Sequence, residues 1–166
     1  MALSTVINLS VSANQTSALD LGTVALPVAY SHKETLTNGT GANQANELFS
    51  DTRTLAASAS ENLDLAGVLT NAFGTTITFT KVKAIIVAAA PGNTNDVLVG
   101  GAATNAFINW VGDATDTVKV KPGGMFVITA PDTNGLAVTA GTGDILKVAN
   151  AGAGTSVTYD VIIIGA

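Results

Sequence analysis

Residues 156–164 read SVTYDVIII, and this stretch decides the fold class. Val157, Tyr159, Val161 and Ile163 alternate with Thr158, Asp160, Ile162 and Ile164, the period of a β-strand. The first half is polar on one face, whereas the second half is apolar on both. The strand therefore starts half-buried and ends deep in a core. Working back along the chain, VKAIIVAAA (82–90) reads as another central strand and GMFVITA (124–130) as a buried run. TTITFT (75–80), TVKVK (117–121) and DILKV (144–148) alternate strictly. Pro91-Gly92-Asn93, Lys121-Pro122-Gly123-Gly124, Asp132-Thr133-Asn134-Gly135 and Ala140-Gly141-Thr142-Gly143 separate these runs with turn chemistry. About seven strands at sandwich spacing follow residue 75, so the expected class is an all-β antiparallel sandwich. One helical turn is expected at Leu65–Phe73, ended by Gly74.

The first third reads differently. Val6–Val11 and Val24–Tyr30 have strand character, but Pro27 inside the second implies an edge or irregular segment. Asn38–Ser50 is polar and glycine-rich, anchored by Leu48 and Phe49. Residues 1–30 are read as an N-terminal arm or edge strands, and residues 31–166 as the sandwich domain.

Composition narrows the function classes. The 166 residues carry 7 basic and 12 acidic side chains, a net charge of −5. Such an acidic chain is not expected to bind nucleic acid. Charged residues make up only 11%, against roughly 25% in an average soluble domain. Spread over the ~7,500 Å² of a compact monomer of this mass, that is one charge per about 400 Å², a surface suited to subunit contacts. There is no cysteine and one histidine, which excludes disulfides, thiolate metal sites and cysteine nucleophiles. The longest apolar runs, 84–90 and 161–166, are far short of the ~20 residues of a spanning helix, so no membrane partner is expected. The N-terminal MALSTVINLSVSANQ has neither a basic region nor a continuous apolar core and is not read as a signal peptide.

The candidate chemistry is thin. His32 has no acid at motif spacing and reads as a solvated side chain. Asp113 and Asp116 lie three apart in a loop with no third acid, the pattern of turn aspartates rather than of a calcium cage. Gly141-Thr142-Gly143 and Gly152-Ala153-Gly154 precede strands, whereas phosphate loops open helices. The Asn8, Asn14 and Asn38 glycosylation-type triplets carry no weight without a secretion signal. Trp110, flanked by Phe107, Ile108 and Val111, reads first as core and second as an interface anchor. No catalytic, metal or cofactor-binding residue is assigned, and the chain is not expected to be an enzyme. Leu3, Val6, Ile7, Tyr30 and Trp110 are the candidate interface residues.

A resemblance runs from about residue 36 to the end. It is carried by TNGTGANQ (37–44), FSDTRTL (49–55), LDLAG (63–67), FTKVKA (79–84), VGGA (99–102), WVGDATD (110–116), KPGG (121–124), VTAGTGD (138–144) and VTYDVIIIG (157–165). These residues resemble a group of small structural proteins of tailed bacteriophages. The resemblance implies a capsid decoration, or cement, protein with a jelly-roll-like sandwich. Its partner would be the major capsid protein, and its place the capsid exterior after assembly in the host cytoplasm. It implies a homo-oligomer, dimer or trimer. The rival expectation is a tail or baseplate component that binds a host receptor or carbohydrate. That role calls for clustered exposed aromatics, and the chain has few.

Overall fold

The computed structural model describes residues 2–166. Among them are twelve strands and no helix. The last strand, β12 (Val157–Gly165), lies between β4 (Glu47–Leu55) and β6 (Lys81–Ala89), antiparallel to both. The far edge of β6 pairs with β9 (Met125–Thr129) and, near its start, with the short β10 (Leu136–Ala137). A second antiparallel sheet runs β5 (Ser60–Asp64), β11 (Ile145–Asn150), β7 (Val97–Gly100), β8 (Thr117–Val120).

The two sheets form a sandwich around one core. Val157, Tyr159, Val161 and Ile163 of β12 and Ile85 and Val87 of β6 meet Leu146, Val148, Val97 and Val99 of the other sheet. The β12 residues, Leu146 and Val148 are alternating positions read from the sequence, Ile85 and Val87 lie in the run read as a central strand, and β7 is not among the expected strands. At the end of β12 the register shifts between Ile164 and Gly165, and Gly165 faces Val82. A Cβ on Gly165 would overlap the Lys81 carbonyl oxygen, so only glycine fits this bulge.

Ile162 and Ile164 sit on the outer face, where a second, smaller core covers them. It joins Ile164 to Leu36, Ala45 and Ala84, with Leu3, Ile7 and Leu48 packed against it. Leu3, Ile7 and Leu36 come from the base of a long hairpin, β1 (Thr5–Leu19) and β2 (Gly22–Asn38), paired without a break from Thr5↔Leu36 to Leu19↔Gly22. The short β3 (Gln44–Ala45) adds to β2 in parallel. Beyond its base the hairpin leaves the body, and every residue from Asn8 to Lys33 is exposed. The surface is accordingly 8867 Å², against the roughly 7,500 Å² expected of a compact monomer. Pro27 lies opposite Asn14 in the middle of this hairpin. Both strands of a two-stranded ribbon are edges, so proline is tolerated there.

Two expectations are corrected. Leu65–Phe73 is a chain of turns rather than a helical turn. Asp64 accepts the Ala66 amide at 3.0 Å, and Asn71 accepts those of Phe73 and Thr75, each at 3.0 Å. Side chains that bond the backbone locally in this way outcompete helix. Thr75–Thr80 buries Ile77 and Phe79 and exposes the threonines, as its alternation implied. It is not a regular strand, because its amides bond the preceding loop: Ile77 to the Leu69 carbonyl and Phe79 to that of Leu65.

One polar network ties the two sheets at their β4–β5 edge. The Tyr159 hydroxyl donates to Glu61 at 2.6 Å, and Arg53 pairs with Glu61 at 3.0 Å and Asp51 at 2.9 Å. Burial, then the bond to Glu61, pushes the Tyr159 phenol far above its ordinary range. The unfolded chain loses this proton above about pH 10. The folded chain keeps it, so the contribution is full below pH 10 and is lost as pH rises beyond. Tyr159→Phe is expected to cost about 1.5–3 kcal/mol at pH 7. Urea unfolding should also show that the variant loses less stability than the parent between pH 9 and pH 11. Parallel declines would place the phenol outside the alkaline transition.

Candidate interaction surface

The hairpin register places paired residues on one face, so its two faces can be read directly. One face carries Ile7, Leu9, Val11, Ala13, Gln15, Ser17 and Leu19 of β1 opposite Glu34, His32, Tyr30, Val28, Leu26, Val24 and Gly22 of β2. The other carries Asn8, Ser10, Ser12, Asn14 and Thr16 opposite Lys33, Ser31, Ala29, Pro27 and Ala25. Beyond the charged rows at its base, the ribbon is thus amphipathic, apolar on one side and neutral polar or small on the other. Leu9, Val11, Leu19, Val24, Leu26, Val28 and Tyr30 on the apolar side are 47 to 60% exposed. Leu21 at the tip is fully exposed. Asp20 is the only charged side chain between Ala2 and Ser31. Exposed strand edges are normally guarded by charge, above all lysine.

The base of the ribbon is fastened by packing and by polar bonds. Leu36 is 1% exposed in the outer core. Asn38 accepts the Leu3 amide at 3.0 Å. Glu34 accepts the hydroxyl of Thr129 on β9 at 2.8 Å and lies 3.1 Å from the His32 ring nitrogen.

Leu3 and Ile7, two of the candidate interface residues, are half-buried at this base against the outer core. Tyr30 lies farther out on the apolar face and Val6 on the opposite face, both exposed. Trp110 stands apart from all four. It packs half-buried on the main core, 5.4 Å from the Phe126 ring, and its indole N–H donates to the Phe107 carbonyl at 2.9 Å. Leu9, Val11, Leu19, Val24, Leu26 and Val28 were not singled out by sequence reasoning. Their signal was present: Val24, Leu26, Val28 and Tyr30 alternate perfectly across Pro27.

The remaining candidates resolve into local structure. Asp113 accepts the amide and hydroxyl of Thr115 at 3.0 and 2.9 Å. The amide bond holds its carboxyl below the usual range. Asp116 accepts the amides of Gly112 and Asp113. Among the described residues no group of three or more His, Asp or Glu side chains is placed to hold a metal ion. The amides of the glycine turns are taken internally: Gly141 bonds Asp144, Gly143 the Thr139 carbonyl, and Gly152 the Asn150 side chain. An open groove of about 410 Å³ lies between the hairpin base and the 71–75 loop, and Glu47 is its only ionisable lining residue. A second, of about 340 Å³, holds Asp51 and Arg53, already paired with each other. No helix among the described residues is long and apolar enough to cross a membrane.

Comparison with family models, with curated proteins and with solved structures finds no match to this chain.

Leu36→Ala is expected to cost about 2–5 kcal/mol at the outer core. The loss should fall on the ribbon's attachment, so limited chymotrypsin digestion should cut at Tyr30 faster than in the parent and leave the sandwich intact. Equal cutting rates would mean that the outer core does not fasten the ribbon.

Proposed function

We propose that the chain is a non-enzymatic structural subunit of a virus particle: a decoration, or cement, protein on the outside of a tailed-phage capsid. The observation that carries this reading is the ribbon, a long hairpin with a single charge, Asp20, between its base and its tip, held only at its base and bearing apolar side chains in solvent. An isolated ribbon of two strands is marginal in water, so such an element makes sense as an assembly arm. The resemblance of residues 36–166 to phage structural proteins points the same way.

We read the sandwich as a jelly roll, on the order of its strands. Counting the eight long strands of the body from β4, and leaving out β10, one sheet runs first, eighth, third, sixth. The other runs second, seventh, fourth, fifth. That nesting is the order of a jelly roll's two four-stranded sheets. In this reading the arm expected at residues 1–30 is the β1–β2 ribbon, which continues to Asn38.

A cement protein needs area, shape and copy number. Because it binds the assembled shell and not the free capsid subunits, mass action stabilises the assembled state. The partner is then the major capsid protein, and the chain acts as a dimer or trimer on the capsid exterior after assembly in the host cytoplasm.

Quantitative mass spectrometry of purified particles of the encoding phage tests this. A copy number within a few-fold of the major capsid protein is expected. A ratio of a few per cent would move the chain to the tail or baseplate, and absence from the particle would overturn the structural reading.

A further inference from the structure

We infer that the apolar face of the ribbon is an interface between copies of this chain, with the ribbons packed side by side and their tips pointing the same way. The inference does not rest on the particle reading: the chain could be absent from virions and still associate in this manner.

Size is the first argument. From Leu9 to Leu19 the stripe is roughly 35 Å long and two strands, about 10 Å, wide. In plan that is on the order of 350 Å², as large as the largest apolar patch of a typical monomer. Here it lies on an element with no body beneath it. Two stripes face to face remove on the order of 700 Å² as flat rectangles and more as corrugated surfaces. That approaches the roughly 1,000 Å² of a specific interface.

Relief is the second argument. In the central rows β1 contributes Ala13, Gln15 and Ser17, with the flexible Gln15 the one long side chain, whereas β2 contributes Val28, Leu26 and Val24. The face is a ridge along β2 beside a furrow along β1. A rotation axis along the ribbon brings β2 of one copy onto β1 of the next, so ridge enters furrow. An antiparallel arrangement would set ridge on ridge. The surface is thus complementary to itself under cyclic symmetry, the commonest symmetry of homo-oligomers.

Charge is the third. Asp20 lies in the turn, and Glu34 and His32 lie at the base, paired with each other. The stretch between them carries no charge to desolvate or repel when copies meet. The opposite face, with Asn, Ser and Thr of β1 beside Ala25, Pro27 and Ala29 of β2, has no large apolar side chain in this stretch.

Sedimentation equilibrium of the full chain should give two or three times the 16.5 kDa of one copy. Leu26→Glu puts a charge in the centre of the stripe and should weaken association at least about 100-fold. Asn14→Glu, on the polar face, should leave the mass unchanged. Neither residue touches the sandwich, so both variants should keep the parent's circular dichroism. Because the chain has no cysteine, Leu21→Cys offers a single site for a spin label. Dipolar spectroscopy should then find the tips adjacent, whereas an antiparallel pair would hold them at opposite ends. A monomeric parent, an oligomer indifferent to Leu26→Glu, one dissociated by Asn14→Glu, or distant tips would each overturn the inference.

Discussion

Everything in this molecule leans on the double-sided burial of β12. Both of its edges are paired, to β4 and β6. Its inner face carries the centre of the sandwich core. Its outer face is uncovered where Thr158 and Asp160 lie and covered where Ile162 and Ile164 lie, and the cover is the base of the hairpin. Each such side chain contributes about 1.5–3 kcal/mol when taken fully out of water. The chain's last residue is fixed as well: Ala166 donates to the Lys81 carbonyl at 2.9 Å and accepts the Thr80 amide at 2.7 Å. One strand therefore joins two sheets on one side and a projecting ribbon on the other, and the polar-to-apolar change along SVTYDVIII records where that ribbon attaches.

Much of the sandwich was legible because its signal is local. A strand half-covered by a core must alternate, and 117–120, 145–148 and 157–164 do so. What failed to show is decided by contacts that a pattern does not encode. Leu65 and Leu69 have helical spacing and both are buried, yet Asp64 and Asn71 hold the segment in turns. Ile77 and Phe79 alternate like a strand, yet the amides that would build a ladder are spent on the loop that lies against them. Alternation reports which side chains are buried; it does not report what the backbone bonds to.

The ribbon was obscured for a different reason. Val24, Leu26, Val28 and Tyr30 alternate as clearly as any strand of the body, but Pro27 argues against a strand inside a sheet. That argument assumes neighbours on both sides. Each strand of a two-stranded ribbon has one neighbour and one free edge, so the residue that demoted the segment is compatible with it. The interface residues followed suit: Leu3, Ile7, Val6 and Tyr30 fell on the ribbon, while the stripe between Tyr30 and the tip went unnoticed. Trp110, read first as core from its neighbours Phe107, Ile108 and Val111, packs beside Phe126, with its polar end satisfied within the fold by the Phe107 carbonyl.

The division between body and ribbon has an energetic logic. The sandwich closes a core of its own and owes the ribbon only the cover over Ile162 and Ile164. The ribbon owes the body its base and has nothing to pack against beyond it. Ordering its backbone costs about 1–2 kcal/mol per residue, and cross-strand pairs return only about 0.2–1 kcal/mol each. Sustained order beyond the base therefore needs a surface the chain does not itself provide, and the apolar side is the one that gains from finding it. Stability in the body and incompleteness in the ribbon are complementary properties. The first keeps a single chain folded, and the second is what the proposed association of copies would complete.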